Sequence, residues 1–403
     1  MEKANAKIAA SGTDDKEHAE KNMGKVGIIT MHRVRNYGSA LQAYATQYVV
    51  EKLGYECEII DYQYPNVYQF ERGFYHDPVW KSIIKSNLWW LRPKWRKHNK
   101  LKYKFKQFYK DFLKLSSFFD SPQSIRSTPP AYDIYLTGSD QVWNPIHSKG
   151  DTIFLLDFVI SKKKVAYAAS FASDKLEEQF ANSFKPLLQQ YEAISVREFG
   201  GKKIIKDLLG KDVPVVLDPT LLLGADEWSG LSAMGSGHPY QGKKYILIYM
   251  LDYAFDPSSV IYDIIRRLQK QTSYEIISIK KLDKDRITSY KTVEKGGPLE
   301  FLQLFRHASY VVTSSFHGTA FAINFGIPFF PVVSPSSISD DRQISLLRSL
   351  GIEKCAIPAD VDMNTLNLDR IAEISQQGYS RLQELRKESI TCLARMLSGN
   401  LHL

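Results

Sequence analysis

Short apolar runs recur along most of this chain, each closed by a polar loop and followed by a helical pattern. That alternation leaves few folds open, because parallel strands need crossover connections and helices are the usual crossover. The stretch Ser309–Val333, SYVVTSSFHGTAFAINFGIPFFPVV, shows the unit most compactly. Tyr310 to Thr313 is a β-branched and aromatic run that suits a buried strand. Ser314 to Gly318 is small and polar apart from Phe316 and reads as a turn at the strand's carboxyl end. Thr319 to Asn324 reads as a short helix stopped by Gly326 and Pro328, and Phe329 to Val333 as the next strand. Open α/β sheets place ligands at such carboxyl-end loops. A helix N-terminus there also favours an anion. His317 sits in this loop with two hydroxyls beside it; it is either a ligand-facing group or a helix cap.

The same unit opens the chain. Val26 to Thr30 reads as a strand, Met31 to Gly38 as a polar loop, Ala40 to Leu53 as a helix capped by Ser39, and Glu56 to Asp61 as the next strand. No G-x-G-x-x-G fingerprint follows the first strand. Asn36-Tyr37-Gly38 stands there instead, either touching a ligand or making a tight turn. The strand Tyr132 to Leu136 ends in Gly138-Ser139-Asp140-Gln141, where Asp140 and Gln141 could bond sugar hydroxyls or merely cap and turn. Ala193 to Val196 ends at Arg197, placed to fork onto a carboxylate or phosphate, or to pair with Glu198 or an aspartate.

These signals divide the chain into a disordered polar tail over 1–24, a first Rossmann-like domain over 25–224, a linker over 225–244 and a second Rossmann-like domain over 245–367. A helical segment over 368–403 ends it. The fold class is α/β, with two Rossmann-like domains facing a cleft. At 403 residues, 44% of them hydrophobic, the chain is long enough for two cores. An insertion over about 66–120 breaks the rhythm of the first domain.

That insertion also holds the charge. The formal net charge is +9, yet Lys81–Lys114 alone carries twelve basic residues against one acid, leaving the rest near neutral. Aromatics interleave with the lysines there, as at Trp89, Trp90, Trp95, Phe105 and Phe108. Three readings stay open: a helical hairpin with aromatics packed inward, a surface that meets anionic lipid, and, less favoured, a single-stranded nucleic-acid surface. Three scattered cysteines give neither a disulfide framework nor a zinc motif and suit a reducing cytoplasm. No apolar run approaches a membrane span, and the N-terminus lacks the apolar segment of a secretory signal. Nothing in the residues specifies an oligomeric state.

Ser314-Ser315-Phe316-His317-Gly318-Thr319, with Val196-Arg197-Glu198, Gly138 to Trp143 and Asn36-Tyr37-Gly38 upstream, resembles the polysaccharide pyruvyltransferase family over roughly Lys25 to Gly351. The resemblance implies a glycosyltransferase-B-like fold with a last helix crossing back. It also implies transfer of a pyruvyl group from phosphoenolpyruvate to sugar hydroxyls, forming a ketal and releasing phosphate. By that resemblance His317 is the catalytic acid. The resemblance also implicates Arg197 in binding phosphoenolpyruvate; Ser314, Ser315, Gly318 and Thr319, at a helix N-terminus, are the candidates for its other anion, and Asn36, Tyr37, Gly38, Asp140 and Gln141 are the candidates to face the acceptor. A lysine common in the family after the following strand is absent; Arg342 can keep its charge, or cap or pair with Asp340 or Asp341. Neither a cofactor nor a metal is expected.

The acceptor implied is a sugar of a cell-surface polysaccharide or its lipid-linked repeat unit. The expected location is the cytoplasm, with Lys81–Lys114 as the attachment to the inner face of the membrane. Two other functions fit the same residues: a nucleotide-sugar-dependent glycosyltransferase of this architecture, and a non-catalytic scaffold that binds lipid or nucleic acid.

Overall fold

Two six-stranded, wholly parallel sheets build the protein. A computed structural model describes residues 23–63, 93–235, 237, 240–293, 296–335 and 342–400. The first sheet comprises β1 (Lys25–Ile29), β2 (Glu56–Tyr62), β3 (Leu115–Phe119), β4 (Ile134–Thr137), β5 (Lys163–Ala169) and β6 (Ala193–Val196). Its order is β3-β2-β1-β4-β5-β6. The second comprises β7 (Tyr245–Tyr249), β8 (Glu275–Ser278), β9 (Lys291–Thr292), β10 (Tyr310–Thr313), β11 (Phe329–Val333) and β12 (Ile357–Pro358). Its order, β12-β11-β10-β7-β8-β9, is the same winding repeated. In both, the chain starts in the middle, grows to one edge, and returns to grow to the other. The two central pairs, β1 with β4 and β7 with β10, are therefore topological switch points, where the loops diverge and leave a crevice.

Helices fill the crossovers: α1 (Tyr37–Lys52), α2 (Pro93–Phe112), α3 (Pro122–Ser127), α4 (Pro145–Ser148), α5 (Glu178–Leu188), α6 (Phe199–Leu209) and α7 (Ala225–Ala233) in the first half. The second half has α8 (Ser258–Thr272), α9 (Pro298–Arg306), α10 (Phe316–Asn324), α11 (Arg342–Ser349), α12 (Leu368–Ser375) and α13 (Tyr379–Ser398). The central strands are buried on both faces, as parallel strands must be, so they read as continuous apolar runs.

Four elements differ from the sequence reading. The supposed insertion contains β3, the edge strand of the first sheet, and α2, whose Phe105 and Phe108 are buried against the body. The supposed linker contains α7, because Trp228 is fully buried with its indole N–H donating to the Thr220 carbonyl. Asn36 rather than Ser39 caps α1, its side-chain oxygen accepting from the Gly38 and Ser39 amides. The C-terminal helical pattern is broken between α12 and α13 at Gln376–Gly378. The tail, residues 66–92 of the insertion, and Asp340 and Asp341 lie outside the described residues, apart from Met23 and Gly24.

The halves are stitched together on the cleft side. Tyr37 of α1 donates its hydroxyl to the Gly296 carbonyl at 2.9 Å and stacks on Phe301 of α9 with ring centroids 4.7 Å apart. Lys104 of α2 pairs with Glu300. At the back, α13 crosses to the first half, where the Ser389 hydroxyl accepts from the Leu217 amide and Arg386 donates to the Leu221 carbonyl.

Candidate active site

The loops after β1, β4, β7 and β10 converge on one cavity of about 90 Å³. Asn36 and Ser39 come from the first loop and helix, Asp140, Gln141 and His147 from the second, Leu251 and Tyr253 from the third, and Ser315, Phe316 and His317 from the fourth. Arg342, at the start of α11, completes the wall. Both switch points thus face the same space.

His317 lies in the first turn of α10, not in the preceding loop. Ser315 is the N-cap, its hydroxyl accepting from the Gly318 amide at 3.3 Å, so the helix begins at Phe316. The imidazole is 7% exposed. Its Nε2 is 3.8 Å from Asp218 Oδ2 and has no hydrogen-bond partner among the described residues. Burial pushes its pKa below the ordinary histidine value; Asp218 and Asp140 oppose that shift, and Arg197 and Arg342 add to it. The resting side chain is therefore a neutral imidazole near pH 7.

Beneath the histidine is a buried charge cluster. Arg197 follows β6 and donates from Nη1 to Asp218 Oδ2 at 2.7 Å, with Nη2 3.8 Å from Asp140 Oδ1. Asp218 Oδ2 also accepts from the Ser139 hydroxyl, and its Oδ1 accepts from the Thr220 amide and hydroxyl. Asp140, in left-handed backbone at φ 75°, accepts from Ser39 and from the Gln141 amide. Burial alone would raise both aspartates. For Asp218, His317, Arg197 and the Thr220 bonds outweigh it; for Asp140, Arg197, His317, Ser39 and Gln141 do. Both stay ionised at neutral pH.

Arg197 is only 3% exposed and does not line the main cavity. Phe316 covers it, with the guanidinium carbon 4.4 Å from the ring centroid, and it opens instead on a small side cavity with Val215, Leu217 and Leu346. Its Nε and Nη2 are buried without hydrogen-bond partners among the described residues. Its aspartate partner is Asp218, 21 residues on, with Glu198 at the looser distance of 3.9 Å.

The other residues singled out from sequence divide between cavity and scaffold. Asn36, Asp140, Gln141, Ser315, His317 and Arg342 line the cavity. Ser314 turns away, bonding both the amide and the carbonyl of Leu251. The Thr319 hydroxyl accepts from Gln343, and Gly318 packs where a Cβ would meet the Thr313 hydroxyl at 2.3 Å. Tyr37 serves the domain contact, and Gly38 lies against the His317 ring. Asp218, Ser139, Phe316, His147 and Tyr253 were not singled out. The one signal for Asp218 was an aspartate immediately before Pro219 at the end of an apolar run. Among the described residues no cluster of three or more His, Cys, Asp or Glu could hold a metal ion, and no helix is long and apolar enough to cross a membrane.

Two Rossmann-like domains closing their switch points on a histidine-bearing cleft define an α/β protein of glycosyltransferase-B-like architecture. The chain belongs to the polysaccharide pyruvyl transferase family, which it matches over residues 36–337. No curated protein matches it at significant similarity. Among solved structures it is similar to a putative UDP-N-acetylglucosamine 2-epimerase from Listeria monocytogenes, at 13% identity and TM-score 0.47, over 92% of this chain and 90% of that one. It is also similar to the UDP-GlcNAc 2-epimerase from Methanocaldococcus jannaschii, at 11% identity and TM-score 0.42, over 90% and 99% of the two chains. A third is the glycosyltransferase of kitacinnamycin, at 12% identity and TM-score 0.43, over 94% and 98%.

Proposed function

We propose that this protein transfers the pyruvyl group of phosphoenolpyruvate to two hydroxyls of a sugar in a cell-surface polysaccharide or its lipid-linked repeat unit. The observation that carries the reading is His317: a buried, neutral imidazole whose Nε2 has no hydrogen-bond partner among the described residues, in the first turn of a helix and in one cavity with Arg342. Membership of the pyruvyl transferase family supports the same reaction class.

The chemistry needs little from the protein beyond placement and one mobile proton. One sugar hydroxyl adds to C2 of phosphoenolpyruvate while the methylene carbon takes a proton and becomes a methyl group. A second hydroxyl then replaces phosphate at C2, closing the ketal. Of the two hydroxyl protons lost, one ends on the methyl and the other leaves with phosphate. A neutral His317 can accept the first and hand it on. An anionic donor beside the ring raises its pKa, which favours the proton's capture. The α10 N-terminus and Arg342 supply positive potential for that donor. Arg197 contributes from below, offsetting part of the negative charge of Asp218 and Asp140, which would otherwise repel an anion more strongly.

The test is phosphate release from phosphoenolpyruvate on addition of a lipid-linked oligosaccharide extract, with product analysis for a pyruvate ketal. Release that requires both substrates and falls away in His317→Gln supports the reading. Transfer of a hexosyl group from a nucleotide sugar, with phosphoenolpyruvate inert, overturns it.

The basic segment fits an acceptor held at an anionic membrane surface. In its described part, Lys100, Lys106 and Lys110 are exposed on α2 with Tyr103, while Phe105 and Phe108 face inward. Flotation with vesicles containing anionic lipid, but not with neutral ones, is the expected outcome; flotation with neither contradicts membrane attachment.

A further inference from the structure

We propose that Tyr253 and His147 form a platform for the pyranose ring of the acceptor at the mouth of the cleft, an assignment that rests on the pyruvyl-transfer reading above. Tyr253 lies in the loop after β7 and His147 in α4 after β4, so each belongs to a switch-point loop of a different domain. Both line the cavity that holds His317. Their ring centroids are 6.5 Å apart and their planes meet at 77°, making a corner with one aromatic face and one aromatic edge.

Tyr253 is 48% exposed, while most other large aromatics of the second domain are buried. A tyrosine ring left open to water within a cleft is a surface awaiting an amphipathic partner. A pyranose has that chemistry. Its axial C–H groups form an apolar face that meets the negative face of an aromatic ring, and its hydroxyls point outward from the rim.

The rim here offers donors for those hydroxyls. Asn36 has its side-chain oxygen committed to capping α1, which leaves its amide nitrogen without a hydrogen-bond partner among the described residues. Gln141 has its side-chain oxygen committed to Asn144, leaving its own amide nitrogen likewise. Both residues line the cavity with Tyr253. An aromatic corner flanked by two amides recognises a neutral polyhydroxylated ring better than it recognises an anion. It therefore complements the donor region of Arg342 and the α10 N-terminus rather than duplicating it. Because the two rings come from opposite domains, the platform exists only when the domains face each other as they do here.

The experiment is saturation-transfer difference NMR on the whole protein, with phosphoenolpyruvate present and a set of methyl hexopyranosides as probes. The wild-type protein should saturate the axial ring protons of at least one of them. Tyr253→Ala should weaken that binding by about tenfold, a change of about 1.4 kcal/mol, while Tyr253→Phe, which keeps the ring, should retain it. Matched melting curves exclude misfolding as the cause. Saturation undiminished in Tyr253→Ala, or no saturation of any hexopyranoside by the wild-type protein, overturns the platform. So does a result in which uridine monophosphate is the probe that binds and loses affinity in Tyr253→Ala, since the ring then stacks a base. Calorimetry of phosphoenolpyruvate with the wild-type protein keeps the two failures apart: donor binding without hexoside binding sinks the platform alone, and absence of donor binding sinks the pyruvyl-transfer reading.

Discussion

Gly38 and His317, from opposite domains, occupy adjoining space so closely that a Cβ on Gly38 would lie 2.0 Å from the imidazole Nδ1. Glycine is required at position 38 because the partner's ring fills the volume a side chain would take, not because of backbone strain. Gly38→Ala must therefore rotate His317 or part the domains. Misplacement of a reacting group by about 1 Å can cost about 100-fold in rate, and a kcat loss of that order is expected with phosphoenolpyruvate and acceptor. Unchanged kcat in Gly38→Ala would show that the ring does not act from this position.

The two arginines should separate cleanly. Arg342 lines the cavity, whereas Arg197 is buried in a charge cluster beneath Phe316. Arg342→Gln is expected to raise the donor KM about tenfold or more, in keeping with the loss of a charged hydrogen bond. Arg197→Gln is expected to destabilise the fold, by about 3–5 kcal/mol for breaking a buried pair. Denaturant melts and donor titrations on both variants check the contrast; the reverse pattern would place Arg197 in direct contact with the donor.

Asp218, like Asp140 and Asp61, is a buried carboxylate whose protonation should weaken the fold in acid. Burial pushes its carboxyl up, but His317, Arg197 and the Thr220 bonds together hold it below the ordinary value. A folded pKa below the unfolded value of about 3.9 means that the folded state binds fewer protons. The stabilisation is then full above that value and is lost as pH falls through the folded pKa. Asp218→Asn should lower Tm at pH 7 by about 10 °C, because the buried Arg197 guanidinium loses the one carboxylate it hydrogen-bonds among the described residues. It should also flatten the decline of Tm below about pH 4. A wild-type acid slope preserved in the variant contradicts the assignment.

His317 should report the donor through its proton. Its folded pKa lies below the unfolded value of about 6.5, so stability falls as pH drops through that value, and His317→Gln should remove that part of the decline. A bound trianion reverses the local field, so donor binding near pH 6 should take up protons. Calorimetry in two buffers of different ionisation enthalpy measures the uptake, which should vanish in His317→Gln. Equal heats for the wild-type protein in both buffers would count against an anion beside the ring.

Much of the fold was legible because parallel strands announce themselves. The runs at Val26, Ile134, Tyr245 and Tyr310 are mostly apolar since helices cover both faces, and Gly54, Gly210 and Gly326 close α1, α6 and α10. β3 was hidden because its LSSFF lies among lysines and aromatics that belong to α2. α7 was hidden by the glycines and serines that follow it; only the burial of Trp228 reveals why it is a helix. At the site, His317 could be found locally, from a cap and a turn. Asp218 could not, because its significance is a contact with Arg197 made by tertiary packing, and Tyr37 reaches a partner 259 residues away. Local pattern identifies the loops at strand ends; it does not say which loops from two domains will meet.

The most direct measurement is calorimetric titration of the protein with phosphoenolpyruvate and, separately, with a panel of nucleotide sugars. Micromolar-to-millimolar binding of phosphoenolpyruvate is expected, weakened in Arg342→Gln, and no binding of the nucleotide sugars. Binding of a nucleotide sugar by a protein silent to phosphoenolpyruvate would contradict pyruvyl transfer.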